Sequence, residues 1–204
     1  MNVDDPQWYR RAIFYEVLVR GFNDSSGDGT GDLRGVTEKL DYLEWLGIDC
    51  LWLLPFYESP LADGGYDISD FFSVHPDYGT VGDAAELIDE AHRRGMRVIA
   101  DMVMNHTSDQ HPWFQESRQS RTNPRADWYV WNDDNDRWAE ARVIFVDTEP
   151  SNWSWDTQRE QYYWHRFFHH QPDLNFRNPD VADAMIDVVR YWLGLGLDGF
   201  RLDA

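Results

Sequence analysis

Apolar side chains return along this chain at helical steps that give way, abruptly, to short continuous runs. In "PDVADAMIDVVRYWLGLG", Val181, Met185, Val188, Trp192 and Leu195 recur at steps of three and four, one face of an α-helix, and the run passes at once into "LDGFRLDA". Asn178 stands at the N-cap position, Pro179 in the first turn, and Gly194 and Gly196 where such a helix ends. The same succession occurs in "VTEKLDYLEWLG" before "IDCLWLLP" and in "DAAELIDEAHRRG" before "MRVIADMV". With the opening run "AIFYEVLV", the order is strand, helix, strand, helix, strand, a long insertion, helix, strand. Strands alternating with helices require right-handed crossovers and a parallel sheet.

That sheet is either open and doubly wound or part of a closed barrel. No phosphate-cradling glycine fingerprint follows the first strand, whereas polar and charged groups gather where strands end, in "RGFND", "NHTSD" and "RLDA". Active sites of (β/α)8 barrels are built in this way, at the C-terminal mouth. The expected fold is therefore α/β, the first half of a (β/α)8 barrel with about four βα units and a small aromatic-rich domain inserted after the third strand. Residues 1–106 would hold the first three strands, 107–178 the inserted domain, and 179–204 a barrel helix and the fourth strand. "GFRLDA" puts an arginine and a carboxylate on one strand face, which is costly to bury unless the two charges work as a pair. We read it as an internal strand of a longer barrel, and expect exposed apolar edges and association from these 204 residues alone.

Roughly 70 residues are too many for a βα loop, and the insertion holds seven of the 11 tryptophans: Trp113, Trp128, Trp131, Trp138, Trp153, Trp155 and Trp164. Most are expected to form a small core. Others could face the barrel mouth and stack on the apolar faces of sugars.

The formal charge of -19, from 37 acidic against 18 basic residues, repels nucleic acid and anionic membrane surfaces, so the expected partner is a neutral or cationic small molecule. The start "MNVDDPQWYRRAIFYEV" has neither the basic region nor the apolar run of a secretory signal, and we expect a soluble, cytoplasmic protein. The single cysteine, Cys50, lies in an apolar run and reads as a small buried side chain.

Four stretches carry candidate chemistry. "DMVMNHTSDQH" places Asp101, Asn105 and His106 at the end of the third strand, where a histidine can serve as base, ligand or hydrogen-bond donor, and its spacing to His111 matches no zinc helix. In "GGYDISDF", Tyr66 could stack on a ring and Asp67 accept from hydroxyls. In "DSSGDGTGD", Asp24, Ser26, Asp28, the Thr30 carbonyl and Asp32 follow the start of a calcium loop, for calcium or magnesium, with Gly35 where an EF-hand has its bidentate glutamate. Asp203, with Arg201 two residues before it, suits a carboxylate nucleophile kept ionised by a guanidinium. An ordinary ion pair is the structural alternative.

Together "DMVMNH" and "GFRLDA", with "GGYD" and "QPDLN", resemble the α-amylase superfamily, glycoside hydrolase family 13, over essentially the whole chain. Within it, "FYEVLVRGFNDSSGDGTGDLRG" and "QYYWHRFFHHQPDLNF" are most similar to the members that isomerise maltose to trehalose. The resemblance implies Asp203 as nucleophile and Arg201 as its orienting partner and a substrate contact. It also implies Tyr66, Asp67, His106, Phe167 and Gln171 as contacts to the sugar, Asn105 and Asp173 as calcium ligands, and the Asp24 to Asp32 loop as a second ion site, with no organic cofactor. Maltose and trehalose would be the small-molecule partners, with a homo-oligomer open for the parent enzyme. The family's acid/base glutamate and second aspartate would lie past residue 204, so the chain by itself is expected to be inactive. The alternatives are an α-glucosidase or oligo-1,6-glucosidase, and a non-catalytic barrel scaffold.

Overall fold

The structure, a computed structural model, describes residues 6–204; the first five residues of the opening stretch, read above for a targeting signal, lie outside the described residues. In chain order the elements are β1 (Phe14–Val17), α1 (Val19–Phe22), α2 (Leu33–Glu38), α3 (Leu40–Leu46), β2 (Cys50–Leu53), β3 (Tyr57–Glu58), β4 (Asp70–Val74), α4 (Val81–Arg93), β5 (Arg97–Met102), α5 (Pro112–Ser117), β6 (Trp131–Asn132), β7 (Trp153–Asp156), β8 (Gln161–Trp164), α6 (Pro179–Gly194) and β9 (Gly199–Leu202). They divide into two compact units, one of residues 6–58, 72–102 and 189–203, the other of 59–71 and 103–188.

The first unit is the parallel α/β architecture that the alternating pattern implies. Its four-stranded sheet has the order β1-β2-β5-β9, every neighbouring pair parallel. Leu51 and Leu53 of β2 and Val98, Ala100 and Met102 of β5, which share one face by register, are buried, and so are Cys50, Ile99 and Asp101 on the other. β1 and β9 form the sheet's edges and carry exposed apolar side chains, Phe14 and Leu202. Where the sequence pattern suggests a single helix over "VTEKLDYLEWLG", the structure has two. Asp32 caps α2 by accepting from the Gly35 N–H at 2.6 Å, and the chain leaves helical geometry at Lys39 before α3 begins. Thr80 and Asp83 close a reciprocal capping box on α4.

The second unit contains a three-stranded antiparallel sheet, β6-β8-β7, in which Trp131 pairs with Tyr163 and Trp153 with Trp164. Its core is aromatic. Phe114 stacks on Trp131 at 5.5 Å between ring centres, and Trp138 stacks on Trp153 at 5.9 Å. Trp153 is buried while Trp155, two residues on and facing the same way along the strand, is exposed near the strand's end. His111 caps α5 by accepting from the Trp113 N–H, and burial pushes its imidazole down to about 3, so it is a neutral structural group.

α6 begins as its cap signal indicates, with Asn178 Oδ1 accepting from the Asp180 N–H at 2.9 Å. Val181, Met185, Val188 and Trp192 are fully buried along one stripe. No helix among the described residues is long and apolar enough to cross a membrane. Cys50 is buried, and burial pushes its thiol up to about 12.

Candidate functional site

The parallel register of β5 and β9 sets Asp101 directly beside Arg201, a pair 100 residues apart in sequence. Arg201 donates to Asp101 Oδ1 at 2.9 Å and, through the same nitrogen, to Asp203 Oδ1. Asp101 is fully buried; its other oxygen accepts from Trp52 Nε1 at 3.2 Å, and the guanidinium lies 5.4 Å from the Trp52 ring centre. Burial works against the charge on Arg201, but the hydrogen bonds and charges of Asp101 and Asp203 outweigh it and hold the guanidinium above its usual range. Asp203 keeps Oδ2 without a hydrogen bond among the described residues, while its backbone N–H is anchored on Met102 O. The result is an oriented carboxylate with one oxygen committed and the other open, at the C-terminal end of a parallel sheet. Sequence reasoning placed Asp101 near the site. The clamp it forms with Trp52 on Arg201 depends on strand register, which no local spacing encodes.

In the second unit the loop of residues 59–67 is drawn together around Asp67, whose side chain is fully buried. Asp67 Oδ1 accepts from Ser59 Oγ and the Asp63 N–H, and Oδ2 from the Ala62 N–H. Asp67 therefore shapes this loop. Gly64 and Gly65, at φ 63° and 108°, supply the left-handed turn that brings the chain back to Tyr66. Tyr66 O accepts from His106 Nε2 at 3.1 Å; a carbonyl only accepts, so Nε2 carries the proton and Nδ1 accepts from the Asn105 amide at 3.3 Å. The His106 ring packs 5.2 Å from that of Phe167. Gln171 is fully buried, accepting from the Phe168 N–H and donating to Asp63 Oδ2 at 2.8 Å. Tyr66, Asp67, His106, Phe167 and Gln171 are thus joined in one cluster, with Asp63 as a link that sequence reasoning missed. Its signal was the position just before "GGYD".

Two candidate cation sites differ in fit. Asn105 and Asp173 are neighbours: the Leu174 N–H donates to Asn105 O at 2.9 Å, and Asp173 Oδ1 accepts from the Arg166 N–H at 2.9 Å. Burial pushes the Asp173 carboxyl up to about 7, against the hydrogen bonds from Arg166 and Asn105. These residues fit calcium in kind, as oxygen donors that include a buried carboxylate, and supply only part of the about six to eight oxygens the ion takes.

The loop from Asp24 has the right order of residues, with Gly29 at φ 98° where an EF-hand turns sharply. Its carboxylates, however, are turned onto backbone donors. Asp24 accepts from the Gly27 and Gly29 N–H groups, both at 2.7 Å, Asp28 from the Thr30 N–H, and Asp32 from the Ser25 and Gly35 N–H groups. A side chain at Gly35 would place its Cβ 1.9 Å from Asn23 O, so the bidentate glutamate of an EF-hand has no room there. Among the described residues no three His, Cys, Asp or Glu side chains converge as a metal cluster.

A cleft of about 320 Å³ in the second unit is lined by Trp131, Trp138, Arg137 and Arg159 among others. Phe114 and the Arg159 guanidinium lie against Trp131, and Trp153 and Arg137 against Trp138, so both indoles are engaged in packing within the unit. Both are half-buried.

The family profile described as "Alpha amylase, catalytic domain" matches residues 16–204. The chain is 66% identical over 200 residues to the trehalose synthase/amylase TreS of Mycobacterium tuberculosis, covering 98% of this chain and 33% of that protein. It is 49% identical over 199 residues to a probable alpha-glucosidase of Rhizobium meliloti, covering 98% of this chain and 36% of that one. Among solved structures, the alpha-glucosyl transfer enzyme XgtA superposes with a TM-score of 0.91 at 49% identity, over 97% of this chain and 37% of that one. The chain thus spans about a third of the length of the curated relatives it matches. The parallel sheet, the Arg201–Asp203 pair at its C-terminal end and a profile match over nearly every residue agree, and the chain belongs to the alpha-amylase family.

Proposed function

We propose that the protein carrying this chain isomerises maltose to trehalose by retaining glucosyl transfer, with Asp203 as nucleophile. The observation that carries this reading is the open oxygen of Asp203, beside a guanidinium whose other carboxylate partner, Asp101, is buried and committed. Asp203 Oδ2 attacks the anomeric carbon of the non-reducing glucose. The glycosidic C–O bond breaks, and the departing oxygen takes a proton from a carboxylic acid supplied by the remainder of the protein. A retaining pair stands about 5 Å apart. Asp101 does not fill that role, since both its oxygens are held.

The released glucose stays in the pocket, turns, and attacks the glucosyl-enzyme through its own anomeric hydroxyl, which returns its proton to the carboxylate that served as acid. The product is the α,α-1,1 link, and Asp203 is regenerated. Exclusion of water separates this outcome from hydrolysis. His106, Tyr66, Phe167 and Gln171 are the sugar-holding groups, Asp67 acting through the loop it shapes. The 66% identity to a trehalose synthase/amylase supports this substrate pair. Calcium at Asn105 and Asp173 is proposed as structural and enters no step, whereas the carboxylates of the Asp24 to Asp32 loop, expected to hold calcium or magnesium, are taken up by backbone donors.

Hydrolysis of α-glucosides is the second reading, favoured by the 49% identity to a probable alpha-glucosidase. Incubation of the full-length protein with maltose, with products separated by chromatography, decides between them. Trehalose with a minor share of glucose supports isomerisation, and glucose as the main product overturns it.

A further inference from the structure

Within the second unit, the segment that carries Phe167 and Gln171 is held from one side by a single turn of chain. Thr148 and Glu149 both donate their N–H groups to Phe145 O, at 3.0 and 2.8 Å, so the Phe145 ring and the Glu149 carboxylate are presented by one short rigid piece. Phe145 stacks on Phe168 with ring centres 4.1 Å apart and planes 5° from parallel. Glu149 Oε1 accepts from both the N–H and the Nδ1 of His169, at 3.0 and 2.9 Å. Glu149 is buried, and the ordinary tendency of burial to raise a carboxyl is outweighed by these hydrogen bonds and the His169 charge, which hold it low.

A buried carboxylate is costly to keep, and here the only hydrogen bonds it accepts among the described residues come from His169. Its partner lies between Phe167 and Gln171, the two residues of this segment proposed to touch the sugar. The same backbone is also pinned by Tyr163, whose hydroxyl donates to His169 O at 2.8 Å. Gln171 reaches across to Asp63. Held at 168 and 169 by the turn and at 171 by the loop, the segment has little freedom to shift Phe167.

We propose that Glu149 is a positioning residue for product outcome: through His169 it fixes the Phe167–Gln171 segment, and so keeps the departing glucose in the pocket until it re-attacks. The inference rests on the isomerase reading, with Glu149 itself touching no sugar. Loss of the clamp frees the Phe167–Gln171 segment and the sugar contacts proposed on it, so that more of the glucosyl-enzyme is taken by water. Small displacements of positioning groups are costly to oriented reactions.

The test is the ratio of free glucose to trehalose formed from maltose by the full-length protein, a quantity independent of how much of the enzyme is folded. In Glu149→Ala the ratio is expected to rise about tenfold. Glu149→Gln keeps an oxygen acceptor for His169 and is expected to return the ratio to within about twofold of the parent. His169→Ala, at a side chain 62% exposed and so tolerant of change, is expected to raise it about threefold. An unchanged ratio in Glu149→Ala and His169→Ala, whatever happens to total turnover, would overturn the inference and leave Glu149 purely structural. A parent protein that makes no trehalose would instead overturn the isomerase reading on which it rests.

Discussion

The main sheet carries an arginine–carboxylate cluster at each end, and the two are wired in opposite ways. At the N-terminal end a carboxylate is the centre: Asp198 accepts from Arg97 at 2.9 Å through Oδ1, and from His92 Nε2 and the Val98 N–H, both at 2.8 Å, through Oδ2. At the C-terminal end a guanidinium is the centre, shared by Asp101 and Asp203. Below, donors outnumber the carboxylate and every oxygen is used. Above, carboxylates outnumber the guanidinium and one oxygen is left open. Saturated, such a cluster ties strands together; with a carboxylate in excess, it leaves one oxygen open, as the nucleophile proposed above requires.

The comparison breaks most sharply at Asp203. Asp203→Asn keeps the shape and removes the charge, and turnover of maltose by the full-length protein is expected to fall by about 10⁴-fold or more, while stability in denaturant changes by under about 1 kcal/mol. Comparable turnover in this variant would end the nucleophile assignment. Asp198→Ala should do the reverse. It removes the acceptor of Arg97 Nη1 and of the Val98 N–H in a largely buried place, a loss of about 3 kcal/mol read from the denaturation midpoint, with the glucose to trehalose ratio unmoved.

A third carboxylate of the same unit, Asp83, sharpens the point with a smaller effect. Hydrogen bonds from Thr80, with help from Arg34, hold its carboxyl below the usual range. A folded value depressed in this way contributes stability that is fully present above the unfolded value of about 3.9 and is lost as pH falls through the folded value. Asp83→Ala should therefore cost about 1 kcal/mol at pH 7, and the gap from the parent should close in denaturation curves taken toward pH 3. A gap of constant size would show that the capping charge contributes nothing. The smallest effect belongs to Cys50, whose thiol burial keeps protonated at pH 8; alkylation is expected only on unfolding, and rapid labelling of the native protein would contradict its burial.

Much of the first unit was legible in advance because a parallel α/β sheet writes itself locally. β2 is a continuous apolar run and β5 holds one in Val98–Ala100, α4 carries its own capping box, and α6 its Asn178 cap. The division of α2 from α3 was not legible, since the apolar spacing runs on through Lys39 and only the local turn interrupts it. Of the site, residue types and strand ends announced Arg201, Asp203, His106 and Tyr66. Nothing local announced that Asp67 would spend its oxygens on its own loop, that Asp63 would hold Gln171, or that Glu149 would seek His169.

The amino-acid sequence by itself determined the alternation of strands and helices, the aromatic character of the insertion and the chemical types available at the strand ends, because each of these follows from spacing within a few residues. Tertiary structure alone decided which carboxylate is committed and which is open. Asp101 and Arg201 meet only through the register of β5 and β9, and a charge is tuned by what lies within a few ångströms of it, however far away along the chain.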